Sequence, residues 1–183
     1  AYEYTTAGRL KSYTDIEGTI WAVLKVDTFG RPVLVTDSAV QLDLFYDALG
    51  RCDSFTATDT ASKTTMTTTL SWDTLDREAS RTVKSSTGNI WSIAYSYNRN
   101  SQVVEKTLQQ NGEQVRQETF TYDNRNRLMS ATYEGSYLPT DTKGNVIKDL
   151  AFKYDAISNI IETKSTFTTG DDICTYHYDP KIP

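Results

Sequence analysis

The sequence predicts an all-β protein built as an antiparallel meander of short hairpins. A Tyr-Asp turn segment recurs along the chain, as FYDALGR at 45–51, TYDNRNRL at 121–128 and KYDAISNI at 153–160. Apolar and polar residues alternate before each of these turns, the pattern of a strand with one buried face. The composition also favours strands, since 183 residues include 28 Thr and 12 Tyr.

The recurring segment defines a set of repeat anchors, each an aromatic or β-branched residue directly before the turn. The anchors are Tyr4, Val26, Tyr46, Trp72, Tyr97, Tyr122, Tyr154 and Tyr178. Their spacing ranges from 20 residues, between positions 26 and 46, to 32 residues, between positions 122 and 154. We interpret the longest step as an insertion at 134–145. A period of this size indicates a repeat architecture, here one array of about seven to eight repeats over residues 1–183.

Residues on both sides of the anchors keep the same register. Large apolar residues stand two positions before each anchor, at Tyr2, Leu24, Leu44, Leu70, Tyr95, Phe120, Phe152 and Tyr176. Threonine stands ten positions after the first six anchors, at Thr14, Thr36, Thr56, Thr82, Thr107 and Thr132, and the seventh has Lys164. We therefore predict that the strand entering each turn buries the face that carries the anchor.

The turn after Tyr46 is predicted to be a three-residue loop. Ala48 and Leu49 fit a type I turn, and Gly50 fits the left-handed residue that follows it as a G1 bulge. This left-handed position is occupied in turn by Gly8, Gly30, Gly50, Asp76, Ser101, Asn126 and Ser158. Gly, Asn and Asp suit a positive φ angle, and Ser suits it less well.

Acidic and basic residues change together across the predicted turns. The pairs are Asp27 with Arg31, Asp47 with Arg51, Asp73 with Arg77 and Asp123 with Arg127, and Asn98 is matched by Gln102. Opposite charges that face each other across a hairpin contribute about 0.2–1 kcal/mol each. We therefore assign these acids a structural role. The loop also places each anchor opposite the residue six positions later, and the pairing of Trp72 with Glu78 breaks an otherwise apolar column.

A second set of turn signals lies between the anchors, at 15–18, 87–89, 111–112, 143–145 and 170–171. Each repeat therefore consists of two strands. No segment shows the 3.6-residue period and the caps that a helix needs.

The repeats resemble the Rhs or YD repeat, named for the Tyr-Asp that opens its consensus. FYDALGR, TYDNRNRL and YEYTTAGRL carry the resemblance, which extends over nearly the whole chain. It is similar to the repeat region of bacterial Rhs proteins and of the shell-forming components of Tc insecticidal toxin complexes. The resemblance implies a long β-sheet that winds into a hollow shell around a toxic C-terminal polypeptide, in a secreted or cell-surface bacterial protein.

The implied partners are further repeats of the same polypeptide, the enclosed toxin and other toxin-complex subunits. Eight anchors are too few to close such a shell, so we expect the chain to be a segment of a much larger protein. Rhs proteins that release their cargo end in an aspartyl self-cleavage region with a DPxGR-like sequence. Here Tyr178-Asp179-Pro180 is followed by Lys-Ile-Pro, so no protease residue is carried over.

The remaining sequence features favour no catalytic or cofactor site. A net charge of −5 gives no clustered positive field for nucleic acid, and no apolar run has the length of a membrane-spanning helix. His177 is the only histidine and is expected on a strand. Asp171 and Asp172 with Asp179 are interpreted as a hairpin tip rather than a calcium site. We therefore expect no enzymatic activity, no cofactor and no metal, and Cys52 and Cys174 as free thiols or small apolar side chains.

A carbohydrate-binding or adhesive surface protein remains the alternative interpretation. Aromatic side chains on a sheet can stack against sugar rings. Trp91, Tyr95 and Tyr97 would be the first candidates, although their spacing around Ile93 also fits the buried face of a strand.

Overall fold

The structure is a computed structural model that describes residues 1–178. These residues form fifteen strands and contain no helix, which confirms the predicted all-β class. The strands are β1 Tyr2–Tyr4, β2 Leu10–Thr14, β3 Ile20–Val26, β4 Pro32–Thr36, β5 Val40–Tyr46, β6 Cys52–Asp59, β7 Thr65–Trp72, β8 Glu78–Ser85, β9 Ile90–Tyr97, β10 Val103–Gln110, β11 Glu113–Tyr122, β12 Leu128–Gly135, β13 Ile147–Tyr154, β14 Ile160–Phe167 and β15 Gly170–Thr175.

The strands follow one another in the sheet in chain order, which confirms the predicted antiparallel meander. Residues 1–92 form one compact unit, and a second unit begins at Ile93. The single array of repeats over residues 1–183 stays a prediction. No helix in the described part of the chain has the length and hydropathy needed to cross a membrane.

Each unit is a single layer of strands. Within a unit, a strand contacts the strands that precede and follow it in the chain. Among the described residues, the buried apolar side chains are those of Leu108 and Ala131. The anchor face was predicted to be buried, but it is only partly buried. Tyr46 is half-buried and Tyr4 is 61% exposed. The reason is that no second layer within a unit covers the sheet, so neighbouring side chains alone shield each residue.

A second β-bulge follows the turn in the anchor hairpins. Tyr46 faces Cys52, but Phe45 faces Ser54, so Asp53 is an extra residue on the outgoing strand β6. The same step in register follows the turns after Tyr4, Val26, Trp72, Tyr122 and Tyr154. Bulges of this kind locally increase the twist of a sheet. The sequence pattern predicted the left-handed residue of the turn but not this second irregularity.

The two faces of the sheet differ in chemistry. On the strands that enter the turns, the face that carries the anchors also carries large apolar residues such as Leu44 and Phe120, and the opposite face carries the threonine column. Thr56 of that column faces Thr67 on the next strand, with their hydroxyl oxygens 3.0 Å apart. The threonine pattern in the sequence therefore marks the polar face of the strands that leave the anchor turns.

Candidate functional site: the repeated anchor turn

In most anchor turns a single aspartate closes the turn by accepting several hydrogen bonds. Oδ1 of Asp47 accepts the backbone N–H groups of Leu49 and Arg51, both at 2.9 Å. Oδ2 of Asp47 accepts Nε of Arg51 at 2.7 Å. The turns that begin at Asp27, Asp73 and Asp123 repeat these contacts, with Oδ2–Nε distances of 2.6, 2.7 and 2.7 Å. The acids thus hold the backbone of the turn and the arginine together.

The residue before each arginine has a left-handed backbone. Its φ angle is +86° at Gly50 and +63° at Asn126. The other positions in this column also have positive φ, at Gly8, Gly30, Asp76, Ser101 and Ser158. The structure therefore places all seven residues of the column in the conformation that the loop requires, including the two serines.

Hydrogen bonding to the carboxylate lowers the pKa of the turn acids. At Asp73 the largest contribution comes from the backbone N–H of Arg77, followed by its guanidinium, and together they outweigh the opposing effect of burial on the pKa. At Asp47 burial is the largest influence and raises the pKa, but the hydrogen bonds from Arg51 and Leu49 outweigh it. In both turns the ionised acid is the form that the folded backbone stabilises.

Five of the anchor side chains join their repeat to the repeat before it. Each donates a hydrogen bond to the backbone carbonyl of the residue six positions after the preceding anchor. The pairs are Tyr46 with Pro32 at 2.8 Å, Trp72 with Cys52 at 3.1 Å, Tyr122 with Val103 at 2.7 Å, Tyr154 with Leu128 at 2.7 Å and Tyr178 with Ile160 at 2.8 Å. The anchor is therefore a link between repeats as well as a strand residue.

The arginine of a turn contacts the next repeat in the opposite direction. The guanidinium carbon of Arg31 lies 4.3 Å from the centre of the Tyr46 ring, and that of Arg127 lies 4.5 Å from the Tyr154 ring. Such cation–π contacts contribute about 0.5–1 kcal/mol at exposed sites. Nη1 of Arg127 also donates to Oγ of Ser158 at 3.2 Å, so consecutive turns are connected.

The remaining anchors are Tyr4, Val26 and Tyr97, and the turn that follows Tyr97 has no charged pair. Tyr4 and Val26 are exposed, and Tyr97 is half-buried with its ring centre 6.4 Å from that of Tyr95. Asn98 and Gln102 form the same turn without charge, with Nδ2 of Asn98 donating to Oε1 of Gln102 at 2.7 Å. An amide pair therefore replaces the acid and the arginine.

One further turn of this kind, at Asp141, was predicted only as a turn between repeats, because asparagine replaces the arginine; in the predicted turn after Tyr154 asparagine also replaces the arginine. Oδ1 of Asp141 accepts the backbone N–H of Lys143 and of Asn145, both at 2.8 Å, and Nδ2 of Asn145 donates to Oδ2. Asp155 and Asn159 form the equivalent contacts. The segment interpreted as an insertion thus contains a turn of the anchor type. An acid four residues before an asparagine, with Gly or Ser between them, is the signal that identifies it.

A charged cluster on the anchor face was also missed. Glu118 is buried and forms ion pairs with Lys106 at 3.2 Å and with Arg116 at 2.7 Å. Tyr133 faces Glu118 on the next strand, and burial, followed by the Glu118 charge, raises the pKa of Tyr133. The three charged residues come from two strands, so spacing along the chain does not reveal the cluster.

An ion pair also explains why Glu78 is tolerated opposite Trp72, where the other repeats have an apolar residue. Glu78 faces Trp72 and forms an ion pair with Arg81 at 2.8 Å on the same strand. The positive charge of Arg81 therefore balances the charge of the carboxylate that faces Trp72.

The remaining candidate residues lie apart from one another. The prediction that His177 lies on a strand is wrong, because β15 ends at Thr175. Asp171 forms an ion pair with Lys164 at 2.6 Å, and Asp179 lies outside the described residues. Cys52 and Cys174 are free thiols. Within residues 1–178, no group of three or more His, Cys, Asp or Glu is arranged to hold a metal ion.

Comparisons with known proteins give matches among solved structures. No protein-family model and no curated protein matches the chain. A TcdB2-TccC3 chain without its hypervariable C-terminal region is 14% identical over 97% of this chain, with a TM-score of 0.33. A TcdB2-TccC3-TEV chain is 13% identical over 90%, with a TM-score of 0.29. A porin-like protein from Bacteroides uniformis is 16% identical over 82%, with a TM-score of 0.38. The chain spans 13%, 12% and 55% of these three chains, respectively.

Proposed function

We propose that the chain is a structural segment of an Rhs/YD-repeat protein whose β-sheet encloses a toxic C-terminal polypeptide. In this proposal the repeats act as wall material and have no enzymatic role. The partners are further repeats of the same polypeptide, the enclosed polypeptide and other subunits of a toxin complex. The protein would act outside the bacterial cell or at its surface.

The observation that carries the proposal is the link between consecutive repeats. An anchor donates to the repeat before it, as Tyr122 does to Val103, and an arginine reaches the repeat after it, as Arg127 does to Tyr154. Contacts of this kind recur at the same positions in several repeats and favour an extendable array. The chemistry of the turns supports the same role, because their acids are occupied by backbone N–H groups and arginine.

A protease experiment on the full-length gene product tests this function. Intact mass would be measured after digestion under native and denaturing conditions. We expect a C-terminal polypeptide that survives digestion under native conditions and is degraded once the shell is denatured. Immediate degradation of the C-terminal region under native conditions would contradict enclosure and favour the adhesive alternative, which immobilised glycans would then test.

A further inference from the structure

Arg9 lacks the two partners that other turn arginines have, which are an acid in the same turn and the aromatic ring of the next anchor. Arg31 and Arg51 each form an ion pair with the acid of their own turn and lie over the ring of the next anchor. In the first turn the acid is replaced by Thr5, whose Oγ1 accepts the backbone N–H of Arg9 at 3.1 Å. The next anchor is Val26, which has no ring. Within residues 1–178, Arg9 forms no ion pair with a carboxylate.

Arg9 lies at a groove that combines positive charge with apolar surface. The groove has a volume of about 240 Å³, and its lining includes Arg9, Lys11, Lys25, Leu24 and Val26. Leu24 is 59% exposed. Lys11 forms an ion pair with Glu3 at 3.3 Å, whereas Lys25 forms none with the described residues. The groove therefore keeps an excess of positive charge although the chain has a net charge of −5.

The Arg9 guanidinium lies against the following turn. A Cβ atom on Gly30 would lie 2.6 Å from Cζ of Arg9, so the side chain packs directly on the glycine. In the next repeat, Nη1 of Arg31 lies similarly close to Gly50. Arg9 thus occupies the same place as the paired arginines while lacking their carboxylate and their aromatic ring.

We propose that this groove binds a polypeptide segment in which an aromatic residue lies next to a carboxylate. The carboxylate pairs with Arg9 and Lys25, as Asp27 pairs with Arg31 within its own turn. The aromatic ring lies against the guanidinium and Leu24, as the Tyr46 ring lies against Arg31. A guanidinium can satisfy both groups, because it binds carboxylates through two donors and stacks on aromatic faces.

The size of the groove fits a short segment of this kind. A volume of 240 Å³ corresponds to about eight water molecules at their share of liquid volume. One or two side chains fill such a space, with the rest of the partner lying over the exposed edge of the groove. This inference does not depend on the containment function, because it concerns a site on the surface of the present repeats.

Titration with blocked dipeptides tests the site on the 183-residue chain. The probe is acetyl-Tyr-Asp-amide, and binding is followed by NMR shifts of the arginine Nε–H signals. Acetyl-Tyr-Asn-amide removes the charge and acetyl-Leu-Asp-amide removes the ring. We expect each of these to bind about fivefold more weakly, the effect of losing one exposed contact.

Variants of the chain identify the binding residues. Arg9→Gln should weaken acetyl-Tyr-Asp-amide binding by about fivefold or more, whereas Lys84→Gln on β8, also an exposed cation, should leave it unchanged. Circular dichroism checks that each variant is folded. If Arg9→Gln does not fold, Lys25→Gln serves as the second variant. Equal binding by the Arg9 variant, equal binding of the three peptides, or equal shifts with acetate alone would each overturn the proposal.

Discussion

At the scale of single residues, Gly50 satisfies two requirements at once. Its φ angle is +86°, and a Cβ atom at this position would lie 3.0 Å from Nη1 of Arg31. Gly50→Val should therefore destabilise the chain by about 1–3 kcal/mol, because a β-branched residue resists the left-handed conformation. Urea unfolding followed by circular dichroism measures the loss.

The matched control is Gly50→Asn. Asparagine occupies the same place at Asn126 with a φ angle of +63°, so this variant should lose less stability than Gly50→Val. Equal unfolding midpoints for Gly50→Val and the unchanged chain would show that the turn does not need a left-handed residue.

The hydroxyl group of an anchor tyrosine can be tested separately from its ring. Tyr122→Phe keeps the aromatic surface but removes the 2.7 Å hydrogen bond to the Val103 carbonyl. We expect a loss of about 0.5–1.5 kcal/mol in the free energy of unfolding, the net value of one hydrogen bond. Tyr4→Phe is the control, because the Tyr4 hydroxyl forms no hydrogen bond with the described residues. A similar loss in both variants would mean that the hydroxyl does not link the repeats.

At the scale of the turn, the acid and the arginine should behave as one unit. The Asn98–Gln102 turn shows that an amide pair forms the same loop. Asp123→Asn alone leaves the Arg127 guanidinium without its carboxylate, and Arg127→Gln alone leaves the acid without its ion pair. The double variant should therefore lose less stability than the sum of the two single variants. Thermal melts of the four proteins measure this coupling, and strictly additive losses would contradict it.

The turns also show which structural features the sequence pattern could reveal. The left-handed column and the Asp–Arg pairing depend on residues within a few positions of each other, so spacing along the chain was informative. The turn at Asp141 was predicted as a turn but not as one of the anchor type, because Asn145 stands in place of an arginine. The bulge residue Asp53 was missed because no residue type marks it. Gly135 has a structural explanation that spacing did not reveal: a Cβ atom there would lie 2.3 Å from the Val115 carbonyl oxygen on β11.

At the scale of the whole molecule, the fold class was predictable but the degree of burial was not. Alternation predicts which residues share a face, whereas burial depends on what covers that face. Leu108 and Ala131 are buried, but Leu24 is 59% exposed although its position in the repeat is apolar. The Glu118 cluster was unpredictable for a similar reason, since it depends on pairing between strands. Stability in such a sheet comes mainly from contacts between neighbouring strands and turns.

The turn acids together predict how the whole chain responds to acid. The pKa values of Asp27, Asp47, Asp73, Asp123, Asp141 and Asp155 all lie below their ordinary value of 3.8 in the folded chain. The unfolded chain therefore takes up protons first as the pH falls, so these acids contribute stability above their unfolded pKa and lose that contribution as the pH falls through the folded values. The melting temperature should change little between about pH 7 and pH 5 and then decrease below about pH 4. Replacing Asp47 and Arg51 together by Asn and Gln should reduce the proton uptake on acid unfolding, because one acid with a lowered pKa is removed. Melting curves at a series of pH values measure both effects, and a melting temperature that stays constant down to about pH 2 would contradict the electrostatic role assigned to the turns.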